Sequence, residues 1–452
     1  MKKKIFEEVS LFASVVKWTA YASVVGALSG LATAGFLRSL DWASGLLVRY
    51  PQYYFSLPLV IAASSFLVKW LAPDAAGHGT EKVIEAVHKR MGKIPLRVVP
   101  VKLVATVMTL AFGGSAGKEG PCAQMGAGLA SAFGDLLRLD DVDRRKLVIC
   151  GISGGFATVF GTPVAGALFG IEVLVLGRML YEVLFPSFVA GIVGYHVATL
   201  VGVSYPWHSI PVIPQLTGGS FLQMVLMGMF CGLIALFLIE LMKFTSKAFK
   251  RLPCHYLLKS IIGGGFLVLI GSLVSPDYLG LGLGSIDAGL NGTTLPAGAF
   301  FWKSVATSIT LGSGGSGGVV TPIFFIGTAA GNLFARIFHE PYLAAYSAIG
   351  MTALLAGAAN TPIAASVMAI EMFGPGMAPH APVACMVSFL IVGYRSVYPS
   401  QVLGTKKSAS HKLETGMPVG EAGHAEVLTR NKSLIGVVAR VIGIFHRKGE
   451  QD

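Results

Sequence analysis

Charge is scarce in this sequence. Only 13% of its 452 residues are Asp, Glu, Lys or Arg, against 53% hydrophobic residues. Ordinary soluble domains carry about 25% charged residues, so a soluble globular fold is excluded. Alternating segments of about ten residues, the mark of a transmembrane barrel, are also missing. What recurs instead is long apolar runs, at 54–71, 147–176, 221–241, 257–274, 354–372 and 381–392. Acids are rarer still within the apolar stretches, and Asp41, Asp74 and Asp135 fall at their edges. That argues against a cation-coupled solute transporter, which wants Asp or Asn beside unwound helices. Cysteines number five (Cys122, Cys150, Cys231, Cys254, Cys385), an odd count without metal-ligand spacing. A zinc site and a disulfide framework are both unsupported, and the cysteines read as reduced packing residues. No cofactor and no metal is expected.

The charges that are present have a pattern. The net charge is +12, but its cations cluster at Lys2, Lys3 and Lys4, at 88–97, 138–146 and 243–251, and from Arg395 onward. Bare apolar stretches separated by basic clusters follow the positive-inside rule and give no reason to expect a nucleic-acid partner. The start runs Lys2–Lys3–Lys4–Ile5–Phe6–Glu7–Glu8 with no cleavage pattern. The expectation is a multi-pass protein of the cell membrane with both termini cytoplasmic and the lipid bilayer as its surroundings. Its fold class is all-α, with tilted and broken helices. Residues 1–14 read as a cytoplasmic surface helix, and 404–452 as a short polar cytoplasmic tail whose 434–445 stretch is amphipathic.

From Lys102 the chain repeats itself. Lys102–Leu103–Val104–Ala105–Thr106 matches Lys303–Ser304–Val305–Ala306–Thr307, an offset of 201 residues. Gly113–Gly114–Ser115 matches Gly314–Gly315–Ser316, and Gly117 and Pro121 fall on Gly318 and Pro322. Thr162–Pro163 and Ile171–Glu172 then match Thr361–Pro362 and Ile370–Glu371 at an offset of 199. The chain therefore divides into repeats at 15–205 and 215–403, joined by a loop at 206–214. Paired, glycine-broken segments point to a substrate site at the repeat interface. Apolar pieces of about 12–16 residues are too short to span about 30 Å. Half-helices whose N-termini meet near the midplane explain both facts.

At the centre stands Gly117–Lys118–Glu119–Gly120–Pro121. A carboxylate inside a membrane costs roughly 3 kcal/mol or more, which makes Glu119 a functional candidate. Glycines free main-chain N–H groups for an anion, and Pro121 suits the first turn of a helix whose positive end would face Glu119. The second half has Val320 at the matching position. An intramembrane serine hydrolase is a remote alternative, because Gly113–Gly114–Ser115–Ala116–Gly117 fits a nucleophile elbow. An elbow needs a preceding strand and an acid–histidine pair, whereas here the flanks are helical and the one candidate base is His196. The chain is not expected to be an enzyme.

Gly117–Lys118–Glu119–Gly120–Pro121 resembles the G-K/R-E-G-P motif of the CLC family of chloride channels and proton/anion exchangers. Gly77–His78–Gly79 sits where that family has G-S-G-I-P. Gly318–Val319–Val320–Thr321–Pro322 is similar to its G-x-F-x-P, and Tyr398 stands at its pore tyrosine. The likeness runs over about residues 15–400, and the sequence most resembles prokaryotic members without regulatory tail domains. It implies two inverted-topology repeats and a homodimer with one pore per subunit. Glu119 would be the gate. Small inorganic anions, chloride or another halide, would be held by the His78 side chain, by main-chain groups around Gly79, Gly117, Lys118, Gly120, Pro121, Val319 and Val320, and by the Tyr398 hydroxyl. His78 departs from the family serine and Val320 from its phenylalanine, while the stretch 113–117 is also similar to that of the fluoride exporters. The family's proton-relay glutamate corresponds to Val173, with Glu172 and Glu182 as possible substitutes. The expectation is therefore passive, channel-like conduction, with a proton-coupled chloride or fluoride exchanger as the alternative.

Overall fold

A computed structural model describes residues 2–47, 49–50, 52–205, 209–210, 212–422 and 426–427. The stretch expected to be an amphipathic tail helix, 434–445, lies outside them, as does part of the 206–214 loop. The described residues form sixteen α-helices with only short two-residue strands.

The helices of the first half are α1 (Lys2–Leu47), α2 (Leu57–Leu71), α3 (Thr80–Lys89), α4 (Val98–Ala111), α5 (Glu119–Leu136), α6 (Asp141–Phe160), α7 (Pro163–Glu172) and α8 (Tyr181–Leu200). The second half repeats them in order as α9 (Gly218–Arg251), α10 (Tyr256–Leu273), α11 (Leu283–Leu290), α12 (Ala299–Gly312), α13 (Val320–Ile337), α14 (Leu343–Ala359), α15 (Pro362–Phe373) and α16 (Ala381–Val392). The repeat extends to irregular features, since a single 3₁₀ turn precedes both α3 (Pro73–Ala75) and α11 (Pro276–Tyr278).

Among the described residues six helices are long and apolar enough to cross a membrane: α1, α2 with the 3₁₀ turn before it, α8, α9, α10 and α13. Others are shorter, and two of the apolar runs are interrupted. The run 147–176 turns at Gly161, whose φ is +71°, and 354–372 turns at Asn360, whose φ is +55°. In each case a threonine and a proline follow at once, so the next helix starts with proline in its first turn. Continuous hydropathy therefore conceals two half-helices in each place.

Helix α1 differs from expectation. No boundary separates a surface helix at 1–14 from a first span, because Lys2–Leu47 is one helix, about 69 Å long at 1.5 Å per residue. The junction Ser10–Leu11–Phe12–Ala13–Ser14–Val15 contains neither glycine nor proline, so nothing stops the helix there.

Close crossings hold the interior together. In the first half Gly126 of α5 meets Gly151 of α6, and in the second Gly327 of α13 meets Gly350 of α14. A Cβ built on Gly151 would lie 2.5 Å from the Gly126 carbonyl oxygen, so only glycine lets these backbones approach. Large apolar side chains such as Trp70, Leu200, Leu233 and Leu273 are exposed on the outside. This is the inverse of a water-soluble surface and suits lipid. The protein is an integral membrane protein.

Candidate functional site

The two halves meet at Gly117 and Gly318. Gly117 N–H donates to the Gly318 carbonyl at 2.8 Å, and Gly318 N–H donates back to the Gly117 carbonyl at 2.6 Å. This antiparallel bridge sits immediately before the N-termini of α5 and α13. Around it the matched residues of the repeat bond across halves. Ser115 N–H donates to Thr310 Oγ1 and Ser316 N–H to Thr109 Oγ1, both at 3.1 Å. The hydroxyls of Ser115 and Thr307 pair at 3.0 Å, as do those of Thr106 and Ser316. The serines that formally fit a nucleophile elbow are thus tied to threonines, and His196 instead meets the ring of Tyr195 at 5.3 Å.

Glu119 breaks the equivalence. It opens α5, yet its carboxylate does not bind the N-terminus of its own helix. It reaches across to α13, accepting from Val320 N–H at 2.5 Å, Thr321 N–H at 3.2 Å and Thr321 Oγ1–H at 2.8 Å. Both Glu119 and Val320 are fully buried. Three donors at a helix N-terminus make an anion site, and here a side-chain oxyanion fills it. A Cβ on Gly117 would run into the carboxylate, so glycine there gives the glutamate its room.

Other expected donors are placed differently. The Gly117 N–H is spent on the bridge, and Pro121 has no N–H to give, so neither donates to an anion. Gly79 adopts φ +69° and ψ −72°, a tight γ-turn closed by Thr80 N–H on the His78 carbonyl at 2.8 Å. A Cβ at Gly79 would collide with the Gly120 carbonyl, which fixes the His78 turn against the start of α5. The His78 ring lies 5.7 Å from that of Tyr398, which is 1% exposed. Val319 caps α13 directly before the amides that hold Glu119.

Two cavities approach this centre. One, of about 180 Å³, is lined by Lys118, Thr321, Tyr205 and Phe324. The other, of about 340 Å³, is lined by His78 together with Lys243, Lys247 and Lys250. Thr321, which holds Glu119, lines the first, and His78, whose carbonyl packs on Gly120, lines the second.

The proton-relay position, Val173, is buried, and its carbonyl accepts from Gln401 Nε2 at 2.9 Å. Glu172 caps α15 in the other half, through Ile363 N–H at 3.1 Å and Ala364 N–H at 2.8 Å. Its repeat partner Glu371 returns the bond to α7, through Val164 N–H at 2.9 Å and Ala165 N–H at 2.7 Å. Glu182 pairs with Lys146 at 2.9 Å and is well exposed.

Sequence reasoning missed three structural residues. Lys102 and Lys303 are fully buried and bond only carbonyls in the turns before α3 and α11. Lys102 Nζ donates to Ala75 O at 3.1 Å and Gly77 O at 2.6 Å. Lys303 Nζ donates to Tyr278 O at 3.2 Å, Leu279 O at 3.4 Å and Gly280 O at 2.7 Å. Their match in the repeat was the available signal. Glu81, on α3, anchors the Tyr398 loop by accepting from Ser400 N–H at 3.0 Å and Ser400 Oγ–H at 2.6 Å.

A carboxylate of the first half is thus held by three donors of the second, and the family model for voltage gated chloride channels matches residues 59–393. The chain belongs to the CLC family. It is 38% identical over 410 residues to the chloride/fluoride channel protein of Pseudomonas syringae pv. tomato, covering 89% of this chain and 90% of that one. It is 28% identical to the H(+)/Cl(-) exchange transporter ClcA of Salmonella paratyphi B, covering 78% and 80%. Among solved structures, a CLC-type fluoride/proton antiporter superposes with a TM-score of 0.81 at 28% identity, covering 85% and 98%. A slow cyanobacterial Cl-/H+ antiporter superposes with a TM-score of 0.73 at 25% identity, covering 83% and 94%. This CLC protein is accordingly an anion transport protein, of a family whose members are channels or transporters and not enzymes.

Proposed function

We propose that the chain moves small halide ions, chloride foremost, through a path in each subunit that Glu119 gates, and that it does so passively. The observation that carries the gate is the triple hydrogen bond from Val320 and Thr321 to the Glu119 carboxylate. A site that satisfies a carboxylate with three donors can hold a halide once the side chain turns out. Protonation weakens the carboxylate's grip, because those N–H and O–H groups bind the anionic form better. Main-chain donors suit a passing ion, since a fixed dipole attracts it without the deep well of a full cation. The basic mouth at 243–251 faces the cytoplasm in this reading, as do both termini, and the functional unit is a homodimer.

Passive conduction is favoured by the groups around Val173. A proton crossing low dielectric needs a chain of titratable groups or water. Valine supplies none, Glu172 is committed to α15, and Glu182 is paired with Lys146. A second reading, proton-coupled exchange of chloride or fluoride, is favoured by the likeness to a fluoride/proton antiporter. In that case Glu119 itself would carry the proton.

The test is the reversal potential of purified protein in liposomes under opposed anion and proton gradients. Reversal at the anion equilibrium potential is expected. A stable displacement toward the proton potential, with anion-driven proton pumping, would replace passive conduction by exchange. Absence of chloride, bromide, nitrate and fluoride flux would sink both.

A further inference from the structure

The segment 396–401, which carries Tyr398, is held from three directions. The end of α14 holds it through Val397 N–H, which donates to Ala358 O at 2.9 Å, and Gln401 Nε2, which donates to Ala359 O at 2.8 Å. The chain that follows pairs back onto it, with Val419 N–H on Gln401 O at 2.7 Å and Gly420 N–H on Pro399 O at 2.8 Å. The third hold comes from the first half. Glu81 of α3 accepts from Ser400 N–H at 3.0 Å and Ser400 Oγ–H at 2.6 Å. Among the described residues it is the one charged side chain that bonds this segment.

A neutral acceptor could also bond a serine, and a partly buried carboxylate is costly. Nor does a cation answer it: Lys82 pairs with Glu85 at 2.8 Å, and Glu81 has no ion pair among the described residues. What the charge adds is firmness, since hydrogen bonds to an ionised acceptor are roughly twice as strong as neutral ones. That firmness reaches Tyr398 because Pro399 stands between it and Ser400. A proline ring fixes its own φ and restricts the residue before it, so a shift at Ser400 is passed to Tyr398 rather than absorbed. The other end of α3 is equally fixed. Lys102 ties down Ala75 O and Gly77 O, and Gly79 abuts Gly120 with no room for a Cβ. Helix α3 is therefore a strut between the start of α5, which carries Glu119, and the segment that carries Tyr398.

We propose that Glu81 is a positioning residue for Tyr398. Through Ser400 and Pro399 it sets where the Tyr398 hydroxyl stands relative to Glu119, and so how well the protein tells one anion from another. The second part rests on the anion-path reading, whereas the positioning itself can be tested without transport.

Crystal structures of two variants test the positioning. In Glu81→Ala the Tyr398 hydroxyl should move by more than about 0.5 Å, the tolerance within which a functional group must be held. Ser400→Ala should move it too, because the Oγ bond is the shorter of the two. An unmoved hydroxyl in either variant would overturn the positioning. Discrimination is read from the ratio of chloride to nitrate flux in liposomes. This ratio reports the path and not the amount of folded protein, so a merely structural loss leaves it unchanged. Glu81→Ala should shift it by about threefold, which is about 0.65 kcal/mol. In a Tyr398→Phe background the same change should add nothing, because the hydroxyl it positions is gone. A shift that persists in that background would overturn the role in discrimination. So would a ratio that Tyr398→Phe moves and Glu81→Ala does not. A displaced hydroxyl in a protein whose ratio ignores Tyr398→Phe would uphold the positioning and remove Tyr398 from the anion path. A displaced hydroxyl in a protein that conducts neither anion would uphold the positioning and overturn the anion-path reading.

Discussion

The two halves of this protein share a scaffold but not a site. Lys102 and Lys303 hold matching turns, Thr109 and Thr310 cap each other's serine amides, and Glu172 and Glu371 exchange helix N-termini. Against this background Glu119 faces Val320, and His78 in Gly77–His78–Gly79 faces Leu281 in Gly280–Leu281–Gly282. Groups that bond across the interface are alike in both halves. Glu119 and His78 instead have apolar counterparts, so the proposed gate exists in one copy per chain.

The comparison can be broken most forcefully at the lysines. Lys102→Met and Lys303→Met each leave two or three carbonyls without their lysine donor, at about 1–3 kcal/mol for each buried one. Each should lower stability by about 3–5 kcal/mol, read as loss of monodisperse protein on heating in detergent. Loss in only one half would show that the turns are not equivalent.

At the site, by contrast, the halves should respond differently. Glu119→Ala empties three donors and should change anion flux by about tenfold to a hundredfold, or about 1.4–2.7 kcal/mol. Glu119→Gln should change flux in the same direction, since a neutral amide holds the three donors less well than a carboxylate. Val320→Ala keeps the main-chain donors and should leave flux within about twofold, less than 1.4 kcal/mol. Liposome flux with stability measured alongside distinguishes a gate from a structural glutamate, which would cost stability instead.

Smaller effects should again be symmetric. Glu172→Gln and Glu371→Gln each remove a charge from a partly buried helix N-terminus, about 1–2 kcal/mol of stability. Unequal losses would mark Glu172 as having a further part in transport. Thr109→Val and Thr310→Val should each cost about 1 kcal/mol, and the pair should be non-additive because both act on one interface.

Much of this was legible from the sequence because glycine, proline and buried charge have few uses in a membrane. The repeat offset located both halves, and Gly117–Lys118–Glu119–Gly120–Pro121 located the carboxylate at their junction. Identity at matched positions does not reveal partners, however. Ser115 and Ser316 could be placed as structural residues, but that each is bound by the other half's threonines follows only from the fold. Lys102 and Lys303 could be read only as matched positions of the repeat because their ligands are carbonyls, which every residue has. The donor set was also misassigned in part, since sequence cannot show that Gly117 and Gly318 use their N–H groups on each other. The expected break after residue 14 failed for a simpler reason: an amphipathic helix and a spanning helix have the same backbone, and no residue between them interrupts it.

The exchanged glutamate caps have a consequence for how the chain is made. The N–H groups of Val164 and Ala165 at the start of α7 depend on a carboxylate that lies 207 and 206 residues later. At about 5–20 residues per second of synthesis, α7 waits roughly 10–40 s for that partner. During that interval the nascent first half holds the Val164 and Ala165 amides, the second of them buried, without their carboxylate acceptor. The first half is therefore an incomplete object that matures only when the second is inserted beside it. Produced as separate polypeptides, the two halves should accumulate only when made together.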